Sequence, residues 1–145
     1  MSVTVTFVGS GDAFGAGGRF QTCFMVDAPG FRYVIDFGAT SLTALNQLGI
    51  DHTTIDAVVL THIHGDHCGG LPFFLMDSML GAKRTKPLVI AGPRDTQVRI
   101  AGICEALMPG MHAMSPKFQL SYVEMPVMQE SKIGPLTVAP YPASA

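Results

Sequence analysis

The sequence predicts an α/β or α+β fold built around one mixed sheet, and three observations carry that expectation. Two alternating β patterns flank a tight turn near the start of the chain. Further along, short apolar runs rich in β-branched residues take turns with segments of helical spacing. Three of the five histidines and an aspartate then fall within six residues, one residue past the end of such an apolar run.

The elements follow in order. Residues Val3 to Val8 alternate with a β-branched bias and break at Gly9-Ser10-Gly11-Asp12, a strand feeding a tight loop that Gly15, Gly17 and Gly18 extend. With neither a helix nor a lysine following, the loop reads as flexible backbone rather than as a phosphate cradle. Phe20 to Val26 and Phe31 to Asp36 form a hairpin about Asp27-Ala28-Pro29-Gly30. From Thr40 to Leu48 the positions Leu42, Ala44, Leu45 and Leu48 recur at helical spacing, and Gly49 supplies a stop. Ile55 to Leu60 has the look of a strand buried on both faces.

Gly69-Gly70-Leu71-Pro72 opens a second helix reaching about Leu80, and Pro87 to Gly92 is another buried strand. Pro93 to Leu107 reads as a third helix. Phe118 to Val123 and Leu136 to Ala139 close the chain as strands, with Gln129 to Gly134 as the turn between them.

Composition limits what the chain can be. It has 145 residues, 48% hydrophobic and 14% charged, which suits one core-rich domain and not a disordered segment. A formal charge of −2 gives no basic footprint for nucleic acid, and the single basic cluster, Lys83-Arg84-Thr85-Lys86, reads as a turn between two elements. Nucleic acid remains a partner without a strong signature. Cys23, Cys68 and Cys104 are odd in number and lack any C-x-x-C pairing, so neither a disulfide framework nor a structural zinc is expected. No secretory leader and no run of about 18 apolar residues is present, which points to a cytoplasmic protein without a membrane partner.

The chemistry lies in His62-Ile63-His64-Gly65-Asp66-His67. Imidazole nitrogens and a carboxylate suit a borderline divalent ion such as zinc, and residues two apart in extended backbone point the same way, so His62 and His64 can share an ion. Asp66 and His67 lie past Gly65 and need a turned backbone, which can direct them toward a second ion. Two such ions acidify a shared water and stabilise both attacking and leaving oxygens in hydrolysis, making a metal-bound hydroxide the expected nucleophile. His52 and His112 stand apart and read as structural. So do Cys68, a buried thiol, and Met108, Met111 and Met114, which suit apolar packing or a hydrophobic lid better than a soft-metal site.

Thr61 through His67 resembles the Thr-His-x-His-x-Asp-His motif of the metallo-β-lactamase superfamily. Phe7 to Ala13 is similar to that family's first strand and glycine turn, and Val34 to Gly38 to its aspartate-glycine strand end. Gly69 to Pro72, directly after the motif, resembles the branch of the tRNA 3′-end processing endonuclease and related phosphodiesterases. The resemblance implies an αββα sandwich of which this chain supplies mainly the first half, so that residues 1–145 form a single domain lacking its C-terminal half. It implies two divalent ions, zinc or manganese, the first on His62 and His64 and the second on Asp66 and His67. Asp66 would also position the attacking water as a catalytic residue, with Asp36 and Thr61 orienting the ligands.

The family's further ligands, a histidine, a bridging aspartate and a last histidine, have no counterpart in these residues. An apolar sheet face left by a half-sandwich would need covering, and a homodimer is expected. The function so implied is metal-dependent hydrolysis, with RNA or a cyclic or other small phosphodiester as substrate. Two alternatives stay open: a non-catalytic, self-associating or metal-binding module, and a hydrolase of small molecules of the lactamase or lactonase type.

Overall fold

A computed structural model describes residues 2–143 of the chain. Six strands form one sheet in the order β1 (Thr4–Gly9), β2 (Cys23–Ala28), β3 (Phe31–Ile35), β4 (Ala57–Val59), β5 (Leu88–Gly92) and β6 (Leu120–Glu124). The first three are antiparallel neighbours, while β3 through β6 run parallel. The mixed sheet is thus the one expected, with the β2–β3 hairpin turning at Gly30 in the left-handed region, φ +73°.

The parallel half needs crossovers, and helices supply them. α1 (Ser41–Gln47) and the motif segment α2 (Gly65–Cys68) lead to α3 (Leu71–Leu80) and α4 (Thr96–Leu107). The strand alternation divides the core in two. Met25, Val34, Val58, Leu88 and Ile90 face α1, α3 and α4 through Ala44, Leu45, Phe74, Leu75 and Ile100. Ala57, Val59 and Ala91 point to the opposite face, where Met125 and Ile133 cover part of it. Within the helical layer, Phe37 and Phe74 are fully buried with ring centroids 4.8 Å apart, a pair contributing about 0.5–1.5 kcal/mol beyond its area.

Two expectations are corrected here. Residues 129–134 are not all turn: Ser131–Ile133 is a strand, β7, pairing antiparallel with β8 (Leu136–Val138) in a separate two-stranded sheet. Gly134, at φ +54°, makes the tight reversal, and Ile133, 1% exposed, anchors the hairpin on the second core. The third helix begins at Thr96 rather than Pro93. Asp95 precedes it in the left-handed region (φ +65°) with its N–H donated to Glu124 Oε1, and Thr96 Oγ1 donates to Pro93 O.

The basic cluster also has a settled place. Arg84 is 2% exposed and donates to the carbonyls of Ile55, Lys86 and Pro87, while Lys86 pairs with Asp56 at 2.8 Å. It is a tie between loops. Among the described residues no helix is long and apolar enough to cross a membrane.

Candidate metal centre

The histidine motif leaves the C-terminal end of β4, the end where open α/β sheets place ligands. His64 is extended (φ −85°, ψ 152°), and the chain then winds into α2, so Asp66 and His67 sit on a helical turn. This is the turned backbone that the spacing requires. The His62 ring lies between the other two, 4.1 Å from that of His67 and 4.7 Å from that of His64. Asp66 Oδ2 stands 3.2 Å from His67 Nε2. All four motif side chains are therefore brought together.

Asp36 lies beneath them, 1% exposed, at the end of β3. Its φ of +61° is uncommon for a residue with a side chain, though aspartate tolerates it better than most. That backbone turn lets Asp36 N donate to Val59 O while the carboxylate reaches back under the motif. Oδ1 accepts from Thr61 N at 2.8 Å, and Oδ2 accepts from His67 Nδ1 at 2.7 Å. Thr61 Oγ1 lies 2.8 Å from Asp36 Oδ2 and 3.0 Å from His62 Nδ1.

This network assigns the ring protons. A carboxylate only accepts, so the Thr61 hydroxyl donates to Asp36, and its oxygen is left to accept from His62 Nδ1–H. His67 Nδ1–H likewise donates to Asp36. The neutral His62 ring then carries its free lone pair on Nε2. Burial, followed by the nearby His67 and His64, pushes the His62 pKa below its ordinary value and so favours the neutral ring.

Loop packing holds the arrangement. Phe37 N donates to His67 O at 2.7 Å and Gly70 N donates to Phe37 O at 3.0 Å, tying the loop after β3 to the motif helix. A Cβ on Gly38 would stand 2.3 Å from Asp66 O and 2.6 Å from Gln21 Cβ, so only glycine permits this approach. Gln21 spans the site's edge, accepting from Ala39 N at 2.7 Å and donating to Ala13 O at 3.2 Å. Nothing in the sequence singles out Gln21. Its partners lie 8 and 18 residues away and become neighbours only through the hairpin.

Three imidazoles and a carboxylate are the donor set of a borderline divalent ion. His67 Nε2 stands 3.2 Å from an Asp66 carboxylate oxygen, so two of these donors already lie side by side. The donor chemistry fits. The ligand geometry is not formed: among the described residues, no three His, Cys, Asp or Glu side chains surround a common point, because the rings pack on one another.

The other singled-out residues lie elsewhere. Cys68 is fully buried, its thiol pushed up to about 11 by burial and then by Asp36 and Asp66. His52 is buried against Asp77, with Nε2 to Oδ2 at 2.5 Å, and His112 pairs with Glu105. Met111 and Met114 line an apolar cavity of about 170 Å³ with Leu75, Cys104 and Tyr122, while Met108 packs on the same core.

Fold and motif together define a protein of the metallo-β-lactamase fold. The human tRNase Z short form superimposes with a TM-score of 0.70 at 26% identity, covering 83% of this chain and 45% of that one. Bacillus subtilis YhfI, a metallo-β-lactamase fold protein, gives 0.67 at 20% identity over 94% of this chain and 51% of its own. The sequence pattern of the family described as Anti-Pycsar protein Apyc1 matches residues 3–127, and the chain belongs to that family.

Among individual relatives, a ribonuclease Z of Lachnoclostridium phytofermentans is 32% identical over 114 residues, 79% of this chain and 35% of the relative. An Anti-Pycsar protein Apyc1 of Paenibacillus xerothermodurans is 40% identical over 74 residues, 51% and 29% of the respective lengths. The chain spans about a third of these curated relatives and about half of the solved structures. The expected superfamily, its tRNase Z-like branch and the half-sandwich are all found.

Proposed function

We propose that this chain supplies part of the ligand set of a metal-dependent phosphodiester hydrolase whose substrate is a small or cyclic phosphodiester. The observation that carries the reading is the Asp36 network, which holds the His62 and His67 rings through their Nδ1 atoms and turns His67 Nε2 toward Asp66. His62, His64, Asp66 and His67 would hold two divalent ions, zinc or manganese. When bound, such ions supply Lewis acidity toward water and toward phosphoryl oxygens. Asp36 and Thr61 orient the rings, and Asp66 offers a carboxylate oxygen to hold and turn the attacking water.

Phosphodiester chemistry agrees with the ribonuclease Z relatives, whose name assigns them RNA. A small substrate agrees better with the charge of this chain. The net charge is −2, and the basic cluster is spent on Arg84's carbonyl contacts and the Lys86–Asp56 pair, leaving no track there for a long polyanion. Three buried, unpaired cysteines suit the reducing cytoplasm.

One observation favours the second reading, a self-associating module. An open groove of about 870 Å³ runs from His62 along Tyr33, Val59, Leu136 and Val138, on the sheet face away from the helices. Homodimerisation through this face, or packing of further sheet within one domain, would cover it.

The experiment is hydrolysis of a chromogenic phosphodiester and of 3′,5′-cyclic nucleotides by the protein as encoded, loaded with zinc or manganese. Metal-dependent turnover is expected. No turnover on either substrate, with an intact oligomer and less than one ion per two chains, would select the module.

A further inference from the structure

Between α3, α4 and the edge strand β6 lies the apolar cavity of about 170 Å³, which shares no lining residue with the metal centre. Its lining is rich in sulfur. Met79 comes from α3, Cys104 from α4, and Met111 and Met114 from the turn that follows α4. The frame of the cavity is fixed by hydrogen bonds: Glu105 accepts from Gly110 N, His112 N and His112 Nδ1, which ties that turn back to α4 and sets the His112 ring at the rim. A cavity held this way is formed before any ligand arrives.

One polar atom enters from the sheet. Tyr122 is the register partner of Ile90 and so stands on the helix-bearing face of β6, where it lines the same space. Among the described residues nothing hydrogen-bonds its hydroxyl, and burial, followed by the nearby Cys104, pushes its pKa up to about 12, which keeps the hydroxyl protonated.

We propose that this cavity is a binding site for a small single-ring aromatic molecule with one hydroxyl, a phenol-sized ligand whose ring lies among the methionine sulfurs and whose polar group bonds Tyr122. The volume sets the size, since an apolar cavity of about 150 Å³ takes up benzene, whereas pockets for larger organic ligands run from about 300 Å³ upward. The lining sets the class: thioethers are flexible, fill irregular gaps and make favourable contacts with ring edges. A single soft metal ion would suit the same sulfurs but leave most of the space empty.

The test is titration of the whole chain with phenol, benzene and cyclohexanol, followed through the methionine methyl resonances. Phenol should give saturable shifts at Met79, Met111 and Met114 and none at Met128, which is 68% exposed and serves as the control. Tyr122→Phe should weaken phenol about five- to tenfold and leave benzene unchanged. Ala101→Phe, which puts a ring into the cavity from α4, should abolish binding of both in a variant shown by its melt to be folded. The absence of saturable shifts, or shifts that include Met128, overturns the proposal. Binding that survives Ala101→Phe places the ligand elsewhere and overturns it as well. Cyclohexanol bound as well as phenol refutes the aromatic class, and equal loss of phenol and benzene on Tyr122→Phe refutes the role of the hydroxyl.

Discussion

Asp36 Oδ2 accepts a hydrogen bond from His67 Nδ1 at 2.7 Å, across 31 residues of sequence and beneath the motif rather than within it. The same carboxylate takes the Thr61 amide and hydroxyl. Asp36→Asn keeps the size but turns one acceptor into a donor that faces donors. Unfolding in urea should show a loss of about 1–3 kcal/mol, and calorimetric titration should show zinc affinity reduced about 10- to 100-fold. Unchanged zinc affinity in a folded variant would reject the orienting role.

Gly38 tests the packing that holds the motif helix. Its Cβ would meet Asp66 O at 2.3 Å, a backbone atom that cannot swing aside. Gly38→Ala should therefore destabilise the protein by about 1–3 kcal/mol, as overpacking does. Gly102 is the control: it sits inside α4 with nothing within 4 Å of an added Cβ. Gly102→Ala should stabilise by about 0.5–1 kcal/mol. Thermal melts of the two variants should move in opposite directions.

What the sequence disclosed depended on whether the signal was local. The apolar spacing of 40–48 and 71–80 foretold α1 and α3 because each helix buries its own periodic residues, Ala44 and Leu45 in one, Leu71, Phe74 and Leu75 in the other. Ser131–Ile133 escaped notice because three residues with one apolar side chain carry no period; its strand exists only by pairing with β8. The proximity of the four motif side chains was legible from their spacing within six residues. Gln21 was not, because its place beside Asp66 arises from long-range packing at Gly38. The left-handed backbone of Asp36 was equally silent, since no rule of composition distinguishes that aspartate from the seven others.

Asp66 and His67 carry the heaviest functional expectation. Asp66→Asn should reduce metal-supported phosphodiester turnover about a thousandfold or more. Its side chain is partly exposed and holds no fold-wide network, so the melting temperature should move by only a few degrees. Treatment with a chelator should abolish turnover in the unsubstituted protein, and added zinc or manganese should restore it. Full activity after exhaustive chelation, verified by elemental analysis, would remove the metal from the mechanism.

Glu105 supplies a pH test that is independent of the metal centre. Its carboxylate accepts from Gly110 N at 2.8 Å, from His112 N at 3.2 Å and from His112 Nδ1 at 2.7 Å, binding the end of α4 to the methionine-rich turn. Led by the Gly110 bond and then those of His112, these contacts pull its pKa from 4.5 to about 2. Folding therefore favours the ionised form. The stabilisation is fully present above the unfolded value and is lost as pH falls through the window from about 4.5 to 2. Glu105→Gln removes the titrating group, so the stability gap between the parent protein and the variant should be largest above pH 4.5 and narrow steadily below it. Urea unfolding at a series of pH values reads that gap directly. A gap that stays constant down to the bottom of the window would mean that the Glu105 bonds form equally well with the protonated acid.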